Sequence, residues 1–340
     1  MDCARSITKS PLPFPSAGRN RCIIVSDAVL EEMCLHFLWS MRIIHSWRHC
    51  AIWLDRAGVD LPEQEYSEAE RRRADEKAVL LEIHKRAAQF YYVQLKSSQG
   101  EQAMAYLRGR QLGDDTIKAF GLGYSSKFSN TLYQFLKSKG YADDMLAKSG
   151  LITMDEKHGP HDKFWNRVMF PIMDANNRVI GFGGRVMGDA KPKYLNSPET
   201  LIFDKSRNLY GLNRARTTRK SYFLLCEGYM DVISLHQAGF TNAVASLGTA
   251  LTAGHASLIK RYVQEVYLTY DSDDAGTRAA LRALPILKDA GITAKIIRME
   301  PYKDPDEFIK NLGAERLKSG LKRPGTDSCS VWRYWKKIMT

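Results

Sequence analysis

The sequence predicts a mixed α+β segment followed by an α/β unit whose mostly parallel sheet is flanked by helices. Two observations lead there. From Tyr222 onward, short apolar runs alternate with helical segments in a βαβαβαβ order, the pattern of parallel strands joined by crossover helices. Upstream, at residues 164–190, helical periodicity gives way to two strand-like runs around a turn, as in an antiparallel hairpin.

The elements follow in order. SEAERRRADEKAVLLEIHKRAAQFYYVQL reads as one long helix with a capping box at Ser67, a charged, solvated first half and an apolar second half. GEQAMAYLRGRQL and DDTIKAFGLGY read as helix, turn, helix, and NTLYQFLKSKGY as another helix. FWNRVMFPIMD and RVIGFGGRV flank the turn residues 174–177. KPKYLNSPETLIFDKSRNLYGLNRAR is polar and basic, with turn residues throughout. In the α/β unit the strands are SYFLLCEG, NAVASLG, EVYLTYD and TAKIIRM. The helices between them are YMDVISLHQAG, LTAGHASLIKRY and DAGTRAALRALPILKDAG.

At 340 residues the chain has room for two or three domains. Lys and Arg number 50 against 38 Asp and Glu, a net charge of +12, which suggests an anionic partner, with nucleic acid the first candidate. No run approaches the roughly 18 apolar residues of a membrane span, and the first residues hold no apolar signal core, so a cytoplasmic location is expected. The 6 cysteines include no CxxC pair, so neither a disulfide framework nor a zinc knuckle is visible.

The chemistry gathers at the strand ends. In an open parallel sheet the working site lies at the carboxyl ends of the strands. Glu227 ends the first predicted strand, Asp271 and Asp273 end the third, and Asp304 and Asp306 follow the fourth. Carboxylates sharing one edge repel each other, and oxygen ligands of this kind suit Mg²⁺ or Mn²⁺; a pair of such ions serves phosphoryl transfer. Gly228 and Gly276 leave room beside the acids. Any one aspartate after a strand is as readily a helix cap or turn residue. Asp274 is well placed as the cap of its helix, and Asp231, one turn into its own helix, as a support behind the acids. Upstream, Lys191, Lys193, Lys205, Arg207, Arg214, Arg216, Arg219 and Lys220 surround Tyr194, Asn196 and Tyr210. Cations neutralise phosphates and aromatic rings stack on bases.

EGYMD, ASLGTALT, YDSDDAG and KDPDEF resemble the successive motifs of a Toprim domain, and RVMFPIMDANNRVIGFGGRVMG with KPKYLNSPETLIFDKSRNLYGL resembles the catalytic subdomain of bacterial DnaG-type primases. The likeness covers roughly residues 54–318. It implies a metal-dependent primase that makes short RNA primers on single-stranded DNA from ribonucleoside triphosphates, within the cytoplasmic, nucleoid-associated replication machinery. It also implies that Glu227, Asp271 and Asp273 are the catalytic metal-binding acids, that Asp304 and Asp306 are further metal acids, and that Arg185, Lys193, Tyr194, Asn196 and Lys205 handle nucleotide and template. The expected division is a linker helix at 54–95, a catalytic subdomain at 96–215, the Toprim domain at 216–300 and a shortened helical tail at 301–340. Another Toprim enzyme, topoisomerase or nuclease, and an inactive binder of single-stranded DNA are the alternatives.

The ends depart from the family. Residues 1–53 lack the spacing of the family's zinc-binding domain, so no zinc is expected. The tail after KNLGAE replaces the acidic helical continuation that leads to the helicase-contacting domain. Five of the 6 cysteines and five of the 6 tryptophans fall in the first 53 or last 14 residues, which suggests that both ends are read out of frame. The expected consequence is a catalytic core whose helicase contact is lost.

Overall fold

The computed structural model describes residues 67–297 and 299–322, all within one unit that starts at Ser67. The atypical ends, and the out-of-frame reading of them, lie outside the described residues.

Helix α1 (Glu68–Lys96) starts where its capping box predicts: Ser67 Oγ accepts from the Glu70 N–H at 3.3 Å, and the Glu70 carboxylate accepts from the Ser67 N–H at 2.9 Å. Its stripe of Leu80, Ile83, His84, Ala87, Tyr91 and Leu95 is buried. Expected as a linker, this helix is instead part of a hydrophobic core. Ile83, Ala87 and Tyr91 join Leu132, Leu136, Met169 and Phe182 in one cluster, because an apolar stripe of this length needs a partner.

The helical stretch continues as α2 (Glu101–Gly109) and α3 (Asp114–Phe120), then strand β1 (Gly123–Ser125), α4 (Thr131–Ser138) and α5 (Asp143–Lys148). A small antiparallel pair, β2 (Ile152–Asp155) and β3 (Gly159–Asp162), follows and had no clear signature in the sequence. The predicted hairpin is β4 (Arg167–Met173) and β5 (Val179–Val186). Its turn is closed by Asp174, whose carboxylate accepts from the backbone N–H groups of Asn176 and Arg178 while Asn177 adopts φ 61°. With β6 (Tyr194–Asn196) the first sheet has the order β1-β4-β5-β6, antiparallel throughout.

After the short helix α6 (Leu212–Ala215) come β7 (Tyr222–Cys226), α7 (Tyr229–Gln237), β8 (Ala243–Ala245), α8 (Ala253–Lys260), β9 (Glu265–Leu268), α9 (Asp274–Asp289), β10 (Thr293–Ile296) and α10 (Pro305–Lys322). The second sheet has the order β10-β9-β7-β8, and all its pairings are parallel. Its strands are short, and the inner ones, β7 and β9, are almost wholly buried, as a sheet covered on both faces requires. Among the described residues no helix is long and apolar enough to cross a membrane.

The two sheets meet around Tyr229, the first residue of α7. Its ring stacks on Phe170 of β4 with centroids 5.1 Å apart and stands edge-on to Tyr210 at 4.7 Å. Its hydroxyl donates to Asn196 Oδ1 at 2.7 Å, and the Asn196 amide donates in turn to the Leu247 carbonyl at 2.8 Å. Gly183 of β5 makes this contact possible: a Cβ there would lie 2.6 Å from the Tyr229 hydroxyl oxygen. Gly183→Ala is therefore expected to cost about 1–3 kcal/mol through overpacking, and denaturant unfolding should show a lower midpoint with an unchanged slope.

Candidate active site and nucleotide face

The acids reach one edge through strand ends and helix starts. Glu227 lies one residue past β7, and its Oε1 accepts from the Asp271 N–H at 3.3 Å, joining the loops after β7 and β9. Gly276 has to be glycine here, since a Cβ would sit 2.8 Å from Glu227 Oε1 and closer still to the Asp271 carbonyl. Asp273, not Asp274, caps α9: its Oδ1 accepts from the Gly276 N–H at 2.9 Å. Asp274 is the first helical residue instead, because a cap must stand three residues before the N–H it accepts from. Asp304 plays the same part for α10, accepting from the Glu307 N–H at 2.8 Å.

The electrostatics show charge in excess. Burial raises the Glu227 carboxyl above its ordinary range, and Asp271 and Asp273 add to the rise. Burial also raises Asp271, with Asp304 the next cause and Lys303 opposing. Asp231, buried behind them, is raised well above the ordinary range, first by burial and then by Asp304 and Asp271; its Oδ2 accepts from the Gly228 N–H at 3.0 Å. Lys303 is the cation that approaches this group, with Nζ 3.6 Å from Asp271 Oδ2. The buried Ser272 hydroxyl, between the two aspartates, finds no partner among the described residues.

Asp306 stands apart from this open group. Its side chain is 1% exposed, and its Oδ2 faces Lys310 Nζ at 2.7 Å and Arg110 Nη1 at 3.1 Å. Ser234 Oγ donates to its other oxygen. The carboxylate is already neutralised, and it ties α10 to α7 and to Arg110 at the end of α2. Sequence reading grouped Asp306 with the metal acids. The structure gives it the partners of a buried structural ion pair.

The basic residues divide in the same way. Arg185 lies over the Tyr106 ring, its guanidinium carbon 4.1 Å from the centroid, and is paired with Tyr194 in the β5–β6 register. Burial pushes the Tyr194 phenol up to about 12; Tyr106 and Asp231 add to the rise while Arg185 and Arg110 oppose it. The Tyr194 ring lies 6.3 Å from that of Tyr229, two residues after Glu227, which brings β6 near the start of α7. Lys191 and Lys193 are exposed. The Lys205 carbonyl accepts from His255 Nε2 at 2.7 Å, which anchors the loop and leaves the ammonium outside that bond. Asn196 has both ends of its amide engaged at the joint around Tyr229, so it serves as a tie rather than a free contact. Arg214 is bound to the Ala119 carbonyl and lies over Phe120, and Lys220 donates to Asn242 at 3.2 Å. These two cations of the basic stretch are used inside the protein.

Sequence reading missed Tyr106, Arg110, Ser234 and Lys310, which meet their partners only through the fold. It also missed Lys303, although the KDPDE string carries it. Two exposed aromatics went unnoticed as well, Phe128 and Trp165, the latter 47% exposed. The loops carrying them are joined by the Asn166 N–H donating to the Ser126 carbonyl at 2.8 Å, with Lys127 exposed beside Phe128.

By chemical type, carboxylate oxygens suit a divalent ion. Among the described residues no three His, Cys, Asp or Glu side chains stand close enough together to hold a metal ion by themselves. The open group of Glu227, Asp271 and Asp273 instead offers a few carboxylates with room for water, the way Mg²⁺ is usually held. The raised carboxyls of Glu227 and Asp271, and the Ser272 hydroxyl with no partner among the described residues, mark a place short of positive charge.

Known proteins agree with this architecture. Residues 90–216 match the family model for the DNA primase catalytic core, N-terminal domain, and residues 224–309 match a Toprim-like model. A DNA primase of Clostridium acetobutylicum is 48% identical over 237 residues, 69% of this chain and 39% of the relative; one of Deinococcus radiodurans is 43% identical over 259 residues, 75% and 43%. The chain thus spans less than half the length of these curated relatives. A solved DnaG primase catalytic domain bound to single-stranded DNA superimposes with a TM-score of 0.68 at 36% identity, over 73% of this chain and 80% of that one. The E. coli primase catalytic core does so with a TM-score of 0.66 at 38% identity, over 71% and 78%. With both family models matched in order and the solved catalytic cores superimposing on its two sheets, the chain belongs to the DnaG-type DNA primase family.

Proposed function

We propose that this chain is the catalytic core of a primase, which joins ribonucleotides on a single-stranded DNA template. The observation that supports this most directly is the open group of mutually repelling acids at the ends of β7 and β9, carried by the same unit as the cationic, aromatic residues of β5 and β6. In the reaction, the 3′-hydroxyl of one nucleotide attacks the α-phosphate of the next triphosphate and pyrophosphate leaves. Divalent ions held by Glu227, Asp271 and Asp273, with Asp304 beside them, would make that hydroxyl more acidic and offset the charge that develops on the phosphate.

The protein's own residues supply position. Arg185, packed over Tyr106, presents a cation to the triphosphate, and the exposed Lys193 adds another. The Glu227 bond to the Asp271 N–H keeps two acids at a set spacing, and the cap made by Asp273 fixes a third. Phe128 and Trp165, with Lys127, form a stacking platform for template bases. A topoisomerase or nuclease reading has no use for the 90–216 segment, which matches a primase-specific model.

The first test is ribonucleotide incorporation on single-stranded DNA with Mg²⁺ or Mn²⁺, with and without an annealed RNA primer. Asp271→Asn/Asp273→Asn is the fitting control, since Asn preserves the cap on α9. Metal-dependent product lost in that control is the expected result; no product from folded protein in either format would leave only a binder. Template affinity offers a second test. Trp165→Ala should weaken binding of single-stranded DNA by roughly 5- to 100-fold, the equivalent of one stacked base, as read by fluorescence anisotropy at fixed salt.

Melting temperature separates the open acids from the held one. Because Glu227 is raised in the fold, ionising it costs the folded state. That cost begins above the ordinary carboxylate range and is complete once pH exceeds the raised value. In chelator at pH 8, Glu227→Gln should therefore melt higher than wild type, and the gain should vanish near pH 4. Asp306→Asn should melt lower, because it strips a buried ion pair of its charge. Mg²⁺ should raise the melting temperature of wild type at pH 8 and do so far less in Glu227→Gln.

A further inference from the structure

We propose that Lys303 is a built-in counter-cation of the acid edge, holding Asp271 while no divalent ion is bound and so setting how tightly one binds. The proposal rests on the reading that Glu227, Asp271 and Asp273 hold metal. Lys303 Nζ lies 3.6 Å from Asp271 Oδ2. The backbone delivers it there. The Ser272 N–H donates to the Lys303 carbonyl at 2.7 Å, which joins the loop after β10 to the loop after β9, and the Lys303 N–H donates to Glu307 Oε2 at 3.2 Å. The position of the Lys303 backbone is thus fixed beside the acids whatever its stem does.

The contact is also built to be given up. The Lys303 side chain is 58% exposed, so the ammonium can swing into water without loss of packing. A single long N···O contact on an exposed lysine is weak, and lysine lacks the planar fork with which arginine locks a carboxylate. An ammonium and a divalent cation cannot share one carboxylate oxygen. The fraction of molecules with Asp271 occupied by Lys303 therefore reduces apparent metal affinity, and the nearby positive charge reduces it further.

The test is Mn²⁺ titration of the full chain, with free ion read by electron paramagnetic resonance, in wild type, Lys303→Gln, Lys303→Met, Lys303→Arg and Glu227→Gln. Both neutral variants should bind Mn²⁺ on the order of tenfold more tightly, the arginine variant should stay near wild type, and Glu227→Gln should bind weakly. Unchanged or weaker binding in both neutral variants, with Glu227→Gln impaired, would overturn the role of Lys303 alone. No saturable binding in wild type would overturn the metal reading and this proposal with it. A fall in ribonucleoside triphosphate affinity without any change in Mn²⁺ affinity would make Lys303 a substrate contact and overturn the placeholder role.

Discussion

Carboxylates placed side by side at the edge of a parallel sheet repel each other, and burial raises the cost by removing the water that would screen them. Much of this molecule is arranged around that constraint. Gly228 and Gly276 keep side chains out of the space the acids share. Asp273 and Asp304 each turn one oxygen toward the N–H groups at a helix start, where the helix dipole favours negative charge. Glu227 accepts from the backbone of the opposite loop. None of these contacts brings a full positive charge. The residual excess shows in the raised carboxyls of Glu227 and Asp271, and it is what suits the edge to a divalent ion.

Asp306 shows how little separation is needed to reverse a residue's role. It lies two positions after Asp304 in the same short string, yet it points into the interior, where Arg110, Lys310 and Ser234 take up its oxygens. From there a polar network spreads through the joint between the two sheets. Arg110 Nε donates to the Tyr106 hydroxyl at 3.2 Å, and Tyr106 carries the Arg185 guanidinium on its ring. Arg185 is thereby linked through Tyr106 and Arg110 to Asp306 near the start of α10.

The order and type of the main elements were legible in the sequence because their signals are local. The capping box at Ser67, the Asp174 turn and the alternation after Tyr222 each arise within a few residues, and each element formed where its pattern lay. The paired strands β2 and β3 were not legible, since four-residue strands such as Gly159–Asp162 carry no apolar alternation to read. The open acids were legible for a different reason. Strand ends in a parallel sheet share one edge by topology, so Glu227, Asp271, Asp273 and Asp304 could be grouped without coordinates.

By itself, then, the sequence determined the parallel sheet, the edge at which its acids gather and the family motifs that name them. Tertiary structure alone decided which side chains remain free to act. It turned Asp306 inward, engaged both ends of the Asn196 amide, used Arg214 and Lys220 inside the protein and set Lys303 beside Asp271. The physical reason is that a residue's type states what it can bond to, while its availability depends on partners brought from distant parts of the chain, and periodicity and spacing carry no record of them.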